Sequence, residues 1–286
     1  MNKILLTFIV LSFSKIYSQN KANRFFYEFT YKKSKDSTVY EKILTILDVT
    51  NDKSIYRDYL TVSQDSIIND ILQKSKLSGN NPDDLSKMLK TPKFSYKIIK
   101  KNPSKEIDFY DKILNDNFHY SEEIDLNWEL KQETSTIGTY TAQKAVTEFG
   151  GRKWTAWFSK TIPFQDGPYK FCGLPGLIIK IEDEKKEFSW ILVGNKKILN
   201  YDETPFFDKL NSGKNTINVS KEKFLTMFKD YQENPMGKLM SKMSSEDLDK
   251  KMPDGRTLSE IMKSENKKAI NLLNNNIYNI EVNKNF

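Results

Sequence analysis

The sequence predicts an α+β fold: one large, curved, antiparallel β-sheet of about ten strands, with helices inserted at 63–92 and gathered at the C-terminus. Three observations carry this. Up to about residue 200 the apolar residues recur mostly at every second position, the period of a strand with one covered face. The links between these runs are short, as at Asn51–Asp52 and Gly150–Gly151, which favours antiparallel neighbours over crossovers. After residue 200 the period lengthens to that of amphipathic helices.

The elements follow in order. Arg24–Lys32 puts Phe25, Tyr27, Phe29 and Tyr31 on one face and Glu28, Thr30 and Lys32 on the other. Strands are expected next over 38–50 and 55–60. Residues 63–92 break the pattern: Ile67, Ile68, Ile71 and Leu72 repeat at helical spacing, and Asn81-Pro82-Asp83 reads as a stop and restart. Strands resume over 94–100, 106–113 and 118–130. Runs 140–149 and 152–159 flank Gly150 and Gly151, a hairpin signal because glycine accepts the positive φ of primed turns. A second hairpin joins 177–182 to 187–193. In the C-terminal part Ser220 is placed to cap a helix bearing Phe224, Met227, Phe228 and Tyr231 on one face. Asn234-Pro235 reads as the start of another helix, and Thr257-Leu258-Ser259-Glu260 has capping-box spacing.

The first residues, MNKILLTFIVLSFSKIYSQ, have the layout of a secretory signal peptide: Lys3, an uncharged run from Ile4 to Phe13, and Ser18 as the small residue before cleavage. The expected organisation is therefore a signal segment at 1–18, a β domain over 19–200 with its helical insertion, and a helical region over 201–286 packed on the same domain. The apolar run is too short to span a bilayer, and no second one follows, so no membrane span is expected. No cysteine follows the run, so the chain is not expected to be a lipoprotein. The formal charge is +7, but the lysines come as scattered doublets, Lys100–Lys101 among them, with acids between. Such a pattern suits a solvated surface and strand-edge protection, not a nucleic-acid track.

Chemistry is sparse. His119 and Cys172 are the only histidine and cysteine, so no standard zinc, haem or copper constellation can be assembled and no cofactor is expected. A Cys172–His119 dyad is the one thiol-hydrolase arrangement available, and no motif supports it. No catalytic residue is assigned. Trp154 and Trp157 lie on opposite faces of one strand, so that strand is covered on both sides, by core and helix or by core and ligand. With Tyr169 and Phe171 they form the candidate aromatic lining of a ligand or partner groove. Leu174-Pro175-Gly176-Leu177 fits a type II turn that launches a buried strand through Ile178. Gly173 is read as allowing close backbone approach, and Cys172 as a small apolar neighbour.

The block IGTYTAQKAVTEFGGRKWTAWFSKTIPFQDGPYKFCGLPGLIIKIED, residues 137–183, resembles the core of the GLPGLI family of Bacteroidetes proteins. Family members often carry a cysteine before Gln-Lys-Ala; here Ala142 stands there, so no role transfers to that position. The resemblance implies an exported protein of the periplasm or outer membrane, or one secreted onward. Such proteins are often encoded near TonB-dependent outer-membrane receptors, which implies an accessory role in transport. The family has no assigned catalytic residues. The hairpin order is also similar to the periplasmic lipoprotein-carrier half-barrels, which implies an open or half barrel and, as an alternative, carriage of an apolar ligand.

Overall fold

The computed structural model describes residues 21–34, 37–78, 89–114, 116–206, 209, 215–273, 277 and 279–281. The expected signal segment, the Asn81-Pro82-Asp83 break and most of the terminal tail lie outside them. Twelve strands are found among the described residues: β1 (Ala22–Lys32), β2 (Tyr40–Val49), β3 (Lys53–Asp58), β4 (Lys97–Lys101), β5 (Glu106–Ile113), β6 (Asp116–Glu123), β7 (Glu129–Ile137), β8 (Tyr140–Phe149), β9 (Arg152–Ser159), β10 (Leu177–Asp183), β11 (Phe188–Ile198) and β12 (Thr216–Asn218). The helices are α1 (Leu60–Ser63) and α2 (Asp65–Ser78) between β3 and β4, then α3 (Lys221–Glu233), α4 (Gly237–Met240), α5 (Ser245–Asp249) and α6 (Leu258–Leu273).

All twelve strands form one open sheet, ordered β12-β6-β5-β4-β3-β2-β1-β11-β10-β9-β8-β7. Pairing is antiparallel throughout except for β12, which runs parallel to β6. Apart from β12, the sheet is thus two meanders, β1–β6 and β7–β11, joined at a single seam where β1 pairs with β11. Alternation decides which face of β1 is covered: Phe25, Tyr27, Phe29 and Tyr31 are at most 3% exposed. Gly150 and Gly151 both take positive φ, 58° and 75°, and close the β8–β9 hairpin in two residues as expected. Ser220 accepts the Lys223 N–H to cap α3, and Thr257 and Glu260 form the reciprocal capping box at α6. Asn234 departs from expectation. It caps the C-terminus of α3, its N–H donating to Asp230 O, and α4 starts only at Gly237.

One loop shows how strongly the sheet curls. Phe171 packs on Trp154 of β9 at 4.7 Å between ring centroids, while its neighbour Lys170 bonds Glu122 of β6. Those strands are eight inter-strand steps apart, about 38 Å on a flat sheet. A dipeptide cannot reach across that distance, so the sheet wraps around the loop. The inner face of the bowl is lined by aromatic side chains, and α3 lies across its β5–β6 end with Phe224 buried against Phe109 and Tyr120.

Candidate functional site

The interior of the bowl is occupied by the segment Gly167-Pro168-Tyr169-Lys170-Phe171-Cys172, which enters between β9 and β10. Tyr169 and Phe171 are 6% and 0% exposed, and Lys170 is fully buried. Two lysines fix this segment from opposite directions. Lys100 of β4 sends its ammonium inward to the Gly167, Tyr169 and Phe171 carbonyls at 2.5, 3.1 and 3.5 Å, and to Asp166 at 2.5 Å. An ammonium with three N–H groups and four acceptors is saturated there. The doublet Lys100–Lys101 is therefore split: Lys101 is a surface lysine as expected, whereas Lys100, 6% exposed, is an interior staple.

Lys170 points the other way. Its ammonium pairs with Glu122 and with Glu281 at 2.5 Å, and donates to the Tyr120 hydroxyl at 3.2 Å. Lys221 closes the arrangement, 2.6 Å from Glu122 and 2.8 Å from Glu281, and the Tyr169 hydroxyl donates to Glu281 at 2.8 Å. Burial alone would raise the Glu281 carboxyl, but the two ammonium groups overcome it and hold it at about 2. Lys170 shows the mirror effect: burial opposes its charge, and Glu281 and Glu122 more than restore it. Charge balances within this square of two lysines and two glutamates, which is what makes its burial tolerable.

The hexapeptide does not form the expected type II turn. Gly176 N–H donates to Leu174 O at 2.7 Å, a three-residue γ-turn bond around Pro175, and Leu177 N–H donates to Ile162 O instead of closing a four-residue turn. The two glycines exchange their expected roles. Gly173 has open space around it and is needed for its φ of +90°. Gly176 is the close-approach residue, since a Cβ there would lie 2.2 Å from Ser159 O. Leu177 and Ile178 enter the sheet fully buried, as the sequence indicates.

Trp154 is fully buried, its indole N–H donating to Phe149 O. Together with Tyr169 and Phe171 it packs into one interior aromatic cluster. Trp157 lies on the opposite, outer face and is half-buried. The structure thus brings three of the four candidate residues together inside the bowl. Under α3 a cavity of about 60 Å³ remains, which of these three only Tyr169 lines, beside Tyr96, Phe109, Tyr120 and Phe224. Burial pushes the Cys172 thiol up, against the pull of Lys100. His119, on the outer face of β6, stacks on Tyr110 and bonds Asp108 and Asn218, and no hydrogen bond joins it to Cys172 among the described residues. Nor do the described residues contain a group of three or more His, Cys, Asp or Glu suited to a metal ion.

The larger opening lies at the rim. A cleft of about 620 Å³ runs between the β2–β3 and β4–β5 turns and the entering loop. Thr50, Lys53, Ser54, Lys100, Lys101, Asn102, Ser104, Lys105 and Glu106 line one wall, and Pro163, Phe164, Gln165, Asp166, Cys172 and Gly173 the other. Ser54 is 2% exposed, and its hydroxyl has no hydrogen-bond partner among the described residues. A buried hydroxyl without a partner costs roughly 1–3 kcal/mol. Sequence alone gives no sign of this cleft, because its walls come from two turns and a loop that lie far apart along the chain.

Residues 150–180 match a family model described as a protein of unknown function (Porph_ging). The match runs from the β8–β9 turn through the entering loop into β10, inside the block on which the GLPGLI resemblance rests. No curated protein matches the chain. Among solved structures it is similar to PNGF-II in two crystal forms, C2 and P21, at 15% and 14% identity and a TM-score of 0.50 in each case. Each similarity covers 72% of this chain and about a third, 32% and 33%, of the other. The chain therefore spans about a third of the length of those structures, and the likeness is one of fold. Among the described residues no helix is long and apolar enough to cross a membrane.

Proposed function

We propose that this chain is an exported, non-catalytic binding protein of the bacterial envelope, accessory to outer-membrane transport, which takes its ligand or partner at the rim cleft. The observation that carries the reading is the division of space. The aromatic interior is filled by the chain's own loop, stapled by Lys100 and Lys170, while an open cleft of about 620 Å³ remains beside it. That volume lies in the range of small-molecule sites, whereas about 60 Å³ under α3 is too little for an acyl chain. A raised thiol and a histidine engaged elsewhere favour binding over thiol catalysis.

Export is supported by the pattern Lys3, Ile4–Phe13, Ser18, and the link to a TonB-dependent receptor by the resemblance of residues 137–183. Affinity capture from native outer membranes, followed by native mass spectrometry of the protein recovered, tests the proposal. A defined receptor or a bound small molecule is expected, retained by Cys172→Ala. An empty, partnerless protein, or a hydrolytic activity abolished by Cys172→Ala, would overturn it.

A further inference from the structure

Resting on that reading, we infer that the rim cleft recognises a small amphipathic anion: an apolar, ring-sized body bearing one carboxylate or phosphate. Three features of the cleft point there together.

The first is charge. Four lysines and two carboxylates line the cleft. Lys100 and Asp166 neutralise one another at 2.5 Å. Lys53, Lys101 and Lys105 remain, against Glu106 alone. Lys53 and Lys105 find their acids outside the cleft, at Glu203 (2.6 Å) and Asp125 (2.8 Å). Lys101 lies between Glu106 and Asp108 at 2.8 and 2.9 Å. Glu203 and Asp125 are 48% and 69% exposed, and solvent-exposed pairs are worth only about 0–1 kcal/mol. An anion entering the cleft can therefore recruit the Lys53 and Lys105 ammonium groups at small cost.

The second feature is the Ser54 hydroxyl. It stands in register between Val49 of β2 and the saturated Lys100 of β4. As a buried donor with no partner it matches an incoming oxygen acceptor. The third is the apolar part of the lining, Val49, Ile107, Pro103, Pro163 and Phe164. Phe164, edge-on to Phe25 at 5.5 Å between centroids, is half-buried and offers a surface for an apolar body. A bare inorganic anion would leave this surface unused, and a neutral aromatic would leave the lysines and Ser54 unused.

The experiment is a chemical-shift titration of the full mature chain with four probes: phenyl phosphate, phenylacetate, phenol and inorganic phosphate. Phenyl phosphate and phenylacetate should shift the amides of residues 50–54, 100–102, 104–107, 164–166 and 172–173, and each should bind about tenfold more tightly than phenol or inorganic phosphate. Ser54→Ala should weaken phenyl phosphate binding about tenfold while leaving the thermal midpoint unchanged or raised, because the hydroxyl it removes has no partner to lose. Lys53→Met should weaken both anions and leave phenol alone. The inference is overturned if neither aromatic anion binds at the cleft, if phenol binds as tightly, or if Ser54→Ala binds like the parent. Capture of a receptor or another ligand from the envelope would then still leave the accessory reading standing.

Discussion

Asp111, on the inner face of β5, is a carboxyl only 5% exposed. Burial raises its carboxyl to about 6, against the Ser95 hydroxyl at 2.5 Å and the Lys112 N–H at 2.8 Å, which both favour its charge. Between the ordinary value of 3.8 and about 6 the folded protein holds a proton that the unfolded chain lacks, so stability falls as pH rises through that window. Glu281 acts with the opposite sign. Its stabilisation is present above the ordinary 4.5 and is lost as pH falls toward about 2. Asp111→Asn should therefore flatten the stability profile between pH 4 and 6 and raise stability at pH 7 by up to about 3 kcal/mol. Urea titrations across that range check this, and an unchanged profile would place the buried proton elsewhere. None of it was legible in the sequence, where Asp111 is one acid among 38 acidic residues. Lys100 is the same lesson: its doublet partner is a surface residue, and only the sheet's curl turns Lys100 toward three carbonyls.

At the scale of elements, the entering loop is held by two glycines that fail differently when substituted. Gly176 combines φ +152° with a Cβ position 2.2 Å from the Ser159 carbonyl oxygen, a backbone atom that cannot swing aside. Gly173→Ala meets no atom of the described residues and costs only its φ, about 1–2 kcal/mol. Gly176→Ala should cost about 3 kcal/mol or more and loosen the start of β10. Denaturation midpoints of the two variants, measured side by side, decide the matter; equal losses would mean that the close approach is not what the glycine serves. The hexapeptide advertised a turn, yet the γ-turn was hidden because Leu177 spends its N–H on Ile162, a partner no local pattern names. Elements with one covered face, such as β1 and the β8–β9 hairpin, were readable for the reason that they alternate. β7 was not: ELKQETSTI buries no face, and at the sheet's edge it needs to pair only with β8. β12, three exposed residues running parallel to β6, carries no pattern at all.

Across the whole molecule the C-terminal stretch matters beyond its length. Ile277 and Ile280 are 0% and 1% exposed, and Glu281 closes the charge square around Lys170. Removing residues 274–286 takes away one acid from the buried Lys170 and the half-buried Lys221, and breaking a buried pair in this way costs about 3–5 kcal/mol. The truncated chain should unfold at markedly lower urea. Glu281→Gln, which keeps the shape and removes only the charge, should account for most of that loss. If Glu281→Gln is silent while the truncation is not, the two isoleucines carry the effect.

The β1–β11 seam also governs the order in which the chain can become safe. β1 is made first, yet one of its two neighbours is residues 188–198, among the last strands to appear. For more than 150 residues of synthesis a strand with four aromatics on one face presents a naked hydrogen-bonding edge, the kind of template that recruits strands from other chains. A nascent copy therefore depends on being kept apart from its siblings until β11 arrives. The aromatic row that anchors the finished bowl is, until then, its greatest hazard.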